Sequence, residues 1–119
     1  MVTNAAMNGA ASNDDDIVLV LSNVPDVSLA GSIARALVES GLAACVNIGA
    51  PMMSVYSWQG RVEHAEEIPL CIKTTHARQE EVVQALAKLH PYEVPEALVV
   101  PVLDGLDTYL GWVRERTCE

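Results

Sequence analysis

The first regular pattern in the chain is an unbroken aliphatic run, Ile17-Val18-Leu19-Val20-Leu21. Such a run predicts a strand buried on both faces, and the turn formers Ser22-Asn23-Val24-Pro25-Asp26 read as its end. The spacing then changes. Val27, Ala30, Ile33, Ala34, Leu37 and Val38 recur at helical intervals, while Ser32, Arg35 and Glu39 fall on the other side. With Asp26 or Ser28 as N-cap and Gly41 as the stop, this predicts a helix over 26–40. Over 42–48 the period drops to two, with Leu42, Ala44, Val46 and Ile48 on one side. Gly49-Ala50-Pro51 interrupts the pattern, and 54–59 resumes it with Tyr56 and Trp58 on one face. Gly60-Arg61 reads as a hairpin tip, and the returning strand is clearest over 68–74. Pro69 cannot donate to a ladder, which puts this arm partly at an edge or beside a bulge. A second helix is predicted over 77–89, with Val82, Val83, Leu86 and Leu89 as its stripe and Pro91 beyond its end. An aliphatic strand over 97–102 and a short helix over 107–116 complete the chain.

This order, β-α-β-β-α-β plus a terminal helix, predicts an α+β fold: the ferredoxin-like split β-α-β sandwich with an extra C-terminal helix. Helices are expected on one face of the sheet, with the other face bare. A long hairpin carrying Tyr56 and Trp58 cannot bury both rings within so small a domain, so a partner chain is expected to cover them. Residues 1–16 show no apolar periodicity and read as a disordered N-terminal tail, leaving 17–119 as a single domain. No Lys or Arg precedes Arg35 and no apolar stretch precedes Ile17, so the pattern of a secretory signal is not met. The expected compartment is the cytoplasm, with Cys45, Cys71 and Cys118 reduced.

Charge narrows the functional classes. Among 119 residues, 16 are Asp or Glu and 7 are Lys or Arg, a formal net charge of -9. A chain this acidic lacks the basic stripe that neutralises phosphates, so nucleic acid and anionic membrane surfaces are excluded as expected partners. The longest apolar runs fall far short of the roughly 20 residues of a membrane span.

Five strings now stand in order: Leu42-Ala43-Ala44-Cys45-Val46-Asn47, Ser54-Val55-Tyr56-Ser57-Trp58-Gln59-Gly60, Ile72-Lys73-Thr74, His90-Pro91-Tyr92-Glu93-Val94-Pro95-Glu96 and Tyr109-Leu110-Gly111-Trp112-Val113. Together they closely resemble the CutA family of divalent-cation-tolerance proteins, over roughly residues 17–117. The resemblance implies a ferredoxin-like fold assembled as a compact homotrimer, related in architecture to nitrogen-regulatory PII proteins. It also implies a link with tolerance to copper and other divalent cations, with copper bound by some members, and no established catalytic activity. Many relatives carry Thr where this chain has Asn23.

Weighed residue by residue, the metal chemistry is sparse. The three cysteines form no C-x-x-C pair, and His64, His76 and His90 form no i, i+4 pair, so a self-announcing zinc site is absent. The best local cluster is His90, Glu93 and Glu96, an imidazole and two carboxylates suited to Cu(II); the alternative is a helix-ending loop with solvated acids. Cys71 is a candidate soft-metal ligand beside Lys73, whereas Cys45 reads as a small buried apolar residue and Cys118 as mobile. Lys73 is either a solvated strand residue or one wall, with Tyr92, of a ligand pocket at a subunit boundary. Glu63, His64, Glu66 and Glu67 read as a solvated hairpin face. Tyr56 and Trp58 read as trimer-interface anchors; a nucleic-acid stacking platform would need the missing basic residues. With no Gly-rich phosphate loop, no G-x-S-x-G elbow and no nucleophile paired with a His, enzyme classes find no support. The expectation is a non-enzymatic homotrimer that responds to divalent cations and binds copper, requiring no cofactor. The alternative is a PII-like signalling module with a small ligand in inter-subunit clefts and an unknown partner protein.

Overall fold

The structure, a computed structural model, describes residues 13–118. Eight elements follow in order: β1 (Ile17–Val24), α1 (Val27–Glu39), β2 (Cys45–Ile48), β3 (Met52–Trp58), β4 (Arg61–Thr75), α2 (His76–Leu89), β5 (Leu98–Pro101) and α3 (Asp107–Thr117). The strands run β2-β4-β1-β5 across an antiparallel sheet, and β3 extends it by pairing with the outer half of β4. This is the ferredoxin-like arrangement expected from the element order.

Period-two alternation fixes what each face buries. Val20 and Val24 of β1, with Ile68, Leu70 and Ile72 of β4, point to the side where Ala30, Ile33 and Leu37 of α1 meet Val82 and Leu86 of α2. Each of these larger aliphatics, fully buried, contributes about 1.5–3 kcal/mol of transfer free energy. Ser22 shares this face, only 1% exposed, and its hydroxyl finds no hydrogen-bond partner among the described residues. On the opposite face α3 covers one end of the sheet, where Val113 packs with Ile17 and Ala44. The bare face is therefore partly roofed by the terminal helix.

Several boundaries differ from the sequence expectation, each for a tertiary reason. β1 continues through Ser22 and Asn23 to Val24, because β4 supplies partners for these turn-prone residues: Leu70, Pro69 and Ile68 lie opposite them. The strand expected from Leu42 begins only at Cys45. The amides of Leu42 and Ala43 instead close the end of α1, both donating to the Leu37 carbonyl, with Gly41 at φ 77°. The hairpin tip is Gln59-Gly60 rather than Gly60-Arg61, since Trp58 pairs with Arg61. Both tip residues have positive φ, 50° and 79°, as a type I′ turn requires.

Pro69 lies inside the sheet, with β1 on one side and β2 on the other. It is tolerated because β2 ends at Ile48 and the ladder there needs only the Pro69 carbonyl, which accepts from the Gly49 amide at 2.9 Å. The break expected at Gly49-Ala50-Pro51 is thus where the proline's missing donor falls.

Residues 1–12 of the expected tail lie outside the described residues, and 13–16 depart from the tail reading. The amide of His76 donates to the Asp16 carbonyl at 2.8 Å and that of Ala77 to the Asp14 carbonyl at 3.1 Å. These carbonyls meet orphan donors at the start of α2, where the N-cap Thr75 makes no side-chain bond. Arg114 of α3 further donates to the Asp15 carbonyl at 2.8 Å. The folded unit therefore includes 13–16. Among the described residues, no helix is long and apolar enough to cross a membrane.

Candidate functional site

A cleft of about 630 Å³ opens between the β3–β4 hairpin and the loop that follows α2. The hairpin wall is mainly one strand face: Ser54, Tyr56 and Trp58 of β3 share it, Glu63 and Glu67 of β4 join them because Tyr56 pairs with Glu63 and Met52 with Glu67, and Val55 also lines the cleft. The loop wall is Tyr92, Glu93, Val94 and Glu96, with Asn23 of β1 at the floor.

Three side chains, His90, Glu96 and Tyr92, tie the loop to the sheet. His90, the C-cap of α2, is 6% exposed and gives its amide to the Leu86 carbonyl at 2.9 Å. Its ring Nδ1 accepts from the Tyr92 amide at 3.2 Å, so Nε2 carries the proton and donates to the Asn23 carbonyl at 2.6 Å. The ring also packs on Tyr92, centroids 4.5 Å apart. Asn23 then donates its side-chain amide to Glu96 Oε1 at 3.0 Å. On the other side, the Tyr92 hydroxyl donates to Glu67 Oε2 at 3.2 Å. Burial first, and the Glu67 charge and hydrogen bond second, push the Tyr92 phenol above its ordinary value of 10.0.

The expected site residues are distributed unevenly over this geometry. Glu93 and Glu96 line the cleft; His90 sits beneath it with both ring nitrogens engaged; Cys71 lies on β4 between Leu21 and Asn47, away from the lining. Within the chain these four do not converge, and among the described residues no three His, Cys, Asp or Glu side chains are placed to hold a metal ion. Lys73 and Tyr92 are also apart. Lys73 Nζ stands 5.6 Å from the Tyr109 ring centroid, while Tyr92 is bonded at Glu67, six strand residues or about 20 Å away. Tyr56 and Trp58 are 43% and 42% exposed in the single chain.

The solvated-face reading of Glu63, His64, Glu66 and Glu67 holds for His64 and Glu66, which are exposed, and requires correction for the other two. Glu67 is only 9% exposed and is bonded to Tyr92, and Glu63 lines the cleft with it. The signal was present in the alternation: Glu63 and Glu67 share a face with Tyr56, whereas His64 and Glu66 pair with Val55 and Met53 on the other. Asn23, which also lines the cleft, stood out in the sequence only as one of the turn formers after the first strand.

The chain was compared with known proteins in sequence and structure. Residues 18–116 match the family model described as CutA1 divalent ion tolerance protein. The divalent-cation tolerance protein CutA of Thermus thermophilus is 44% identical over 99 residues, 83% of this chain and 96% of the relative. The crystal structure of CutA from Xylella fastidiosa superposes with a TM-score of 0.85 at 41% identity, covering 87% of this chain and 99% of that one. A protein of Archaeoglobus fulgidus, described as a periplasmic divalent cation tolerance protein CutA, superposes at 0.82 with 33% identity, covering 85% and 98%. Matched from the first strand to the last helix, and folded as those relatives are, the chain belongs to the CutA1 divalent ion tolerance family.

Proposed function

We propose that this protein acts, without catalysis, as a homotrimer in the tolerance of divalent metal ions, and that copper is among the ions it binds. The observation that carries the reading is the pair of carboxylates Glu93 and Glu96 presented on the loop after α2, in a chain of a family named for divalent ion tolerance. Cu(II) favours imidazole and carboxylate donors. One chain offers these two carboxylates, and its nearest imidazole, His90, would have to release Asn23 or Tyr92 to join them. A ligand set completed by a second copy fits this half-site better than one within a chain.

Association is supported by two features. Among the described residues, no strand pairs with the outer edges of β5 and of the β2–β3 side, and Leu98, Met53 and Val55 stand exposed along them. Tyr56 and Trp58 supply aromatic anchors. The cytoplasm is the compartment we assign, on the three unpaired cysteines Cys45, Cys71 and Cys118.

Light scattering gives the assembly mass, for which three copies are expected. Calorimetric titration with Cu(II), repeated on Glu93→Gln, Glu96→Gln and His90→Ala, then tests the site. Loss of affinity in the two carboxylate variants supports the reading; unchanged affinity in both removes the loop as the metal site. The second reading, a PII-like module binding a small ligand, is favoured by the size and aromatic walls of the cleft itself. A small organic molecule that copurifies in the cleft, with no copper affinity beside it, would decide for that alternative.

A further inference from the structure

The link between β5 and α3 carries the dipeptide Asp104-Gly105. Both residues are exposed, and neither belongs to a helix or strand. The Gly105 amide donates to Asp104 Oδ1 at 2.8 Å. Oδ1 is one bond from the carboxyl carbon Cγ, so the two atoms that would close a five-membered ring, the Gly105 nitrogen and Asp104 Cγ, already lie side by side. Glycine hinders such a closure least, because it has no Cβ. Among the described residues, every other Asp or Asn is followed by a residue that has one.

The reaction open to this pair is an isomerisation. The Gly105 nitrogen bonds to Cγ of the protonated Asp104 carboxyl, the Cγ–O bond breaks, and the hydroxyl leaves as water with the amide proton. The product is a cyclic imide, and water then opens one of its two C–N bonds. Breaking the new bond restores aspartate. Breaking the original peptide bond leaves the chain running through Cβ and Cγ, with the main-chain carbon released as a carboxylate, which is isoaspartate. One water leaves and one returns, no electrons are exchanged, and the residue keeps its single negative charge. Because the nucleophile and the electrophile belong to the same loop, water is the only outside reactant.

The position gives this change a structural effect. An isoaspartyl link adds one atom to the backbone just before Leu106, the N-cap of α3. The Leu106 carbonyl accepts from the amides of Tyr109 and Leu110, each at 3.0 Å. Gly105 also lies close against Leu110, since a Cβ there would stand 3.2 Å from Leu110 Cδ2. Leu110 in turn packs, with Val102, on the cluster of Ile17, Ala44 and Val113 that seats α3 on the sheet. A contact this tight leaves little slack for a longer backbone. We propose that Asp104-Gly105 is a site of spontaneous isoaspartate formation in the folded protein, and that the modification loosens the seat of α3.

The test ages the native assembly at physiological temperature and pH, then follows the digested chain by mass spectrometry. Methyl transfer by an S-adenosylmethionine-dependent isoaspartyl O-methyltransferase is the probe. A peptide spanning 104–105 that keeps its mass, shifts its elution and accepts methyl groups is expected. Asn8-Gly9 reaches the same linkage only by exchanging its amide for a carboxylate, which changes the mass and falls in another peptide. Asp104→Glu, at the same exposed position, would have to close a larger ring and should lose the signal. Asp104→Asn should gain it faster, because the same closure then expels ammonia. Amide hydrogen exchange reads the second half of the proposal: aged protein should lose protection in α3 in step with isoaspartate, while Asp104→Glu aged alongside keeps it. Isoaspartate that forms at 104 only after unfolding, or equally in Asp104→Glu, overturns the site. Isoaspartate in the folded assembly with α3 protection unchanged overturns the effect on the helix.

Discussion

Gly49 shows how one residue can be fixed by a contact that its neighbours in sequence do not reveal. A Cβ at Gly49 would stand 2.7 Å from Cγ of Pro69, a ring atom with little freedom to withdraw. Gly49→Ala is therefore expected to destabilise the fold by about 1–3 kcal/mol in denaturant titration. Pro69→Ala in the same chain should recover most of that loss; no recovery would show that the glycine is needed for another reason. Tyr92 offers a prediction in pH. Its folded-state pKa is raised above 10.0, first by burial and then by Glu67, so the folded state holds the phenolic proton more tightly than the unfolded chain. That contribution is complete below about pH 10 and is lost as pH rises through the folded value. Tyrosinate absorbance should show one late-titrating phenol, which moves back toward 10 in Glu67→Gln. A phenol indifferent to that change would place the cause in burial alone. Neither contact was legible in the sequence. Pro69 could be read as a problem for a ladder and Glu67 as an acid on a strand, but the atoms that answer them lie 20 and 25 residues away.

Elements were more legible than contacts, because their causes are local. The apolar stripe of α1 and its cap at Asp26 were both written in the chain: the Asp26 carboxylate accepts from the Leu29 amide at 2.8 Å. Asp26→Ala should cost about 1 kcal/mol, measured as a shift in the denaturation midpoint, whereas Asp26→Ser should retain most of the stability. α2 illustrates the opposite case. Thr75 sits at its N-cap and makes no side-chain bond there, and the helix start is instead met by the carbonyls of Asp14 and Asp16. Three consecutive acids ahead of an aliphatic strand look like a solvated tail. Only the antiparallel pairing of Ile17 with Thr75 carries them to a helix that begins sixty residues later. The same division holds for the hairpin. The alternation of 54–59 predicts a strand, but the register that sets Tyr56 beside Glu63 comes from the Gln59-Gly60 turn.

At the scale of the whole molecule, the hairpin and the edge strands leave neighbouring apolar side chains exposed. Val55 and Val62 on one hairpin face and Tyr56 and Trp58 on the other are all exposed, and Leu98, Val99 and Val100 line the β5 edge. On the trimer reading, Trp58→Ser should shift the light-scattering mass toward that of one chain at micromolar concentration, with the helical circular-dichroism signal retained. A mass that stays at three copies would assign the hairpin ring to the cleft rather than to the interface. The net charge of -9 bears on the same scale, concentrating cations around an acidic cleft and repelling phosphates from it.

The sequence by itself determined the order and type of the elements, the ferredoxin-like topology and the family, because apolar periodicity, caps and ordered motifs act over a few residues at a time. It also singled out His90, Glu93 and Glu96 as the best local candidate cluster. The tertiary structure decided which groups meet there. Burial and two hydrogen bonds make His90 a strut between the loop and Asn23, the strand pleat turns Glu63 and Glu67 inward, and the length of β4 separates Lys73 from Tyr92 of the same chain. Those outcomes depend on register and on segments far apart in the chain, and a pattern of residue types carries no measure of either.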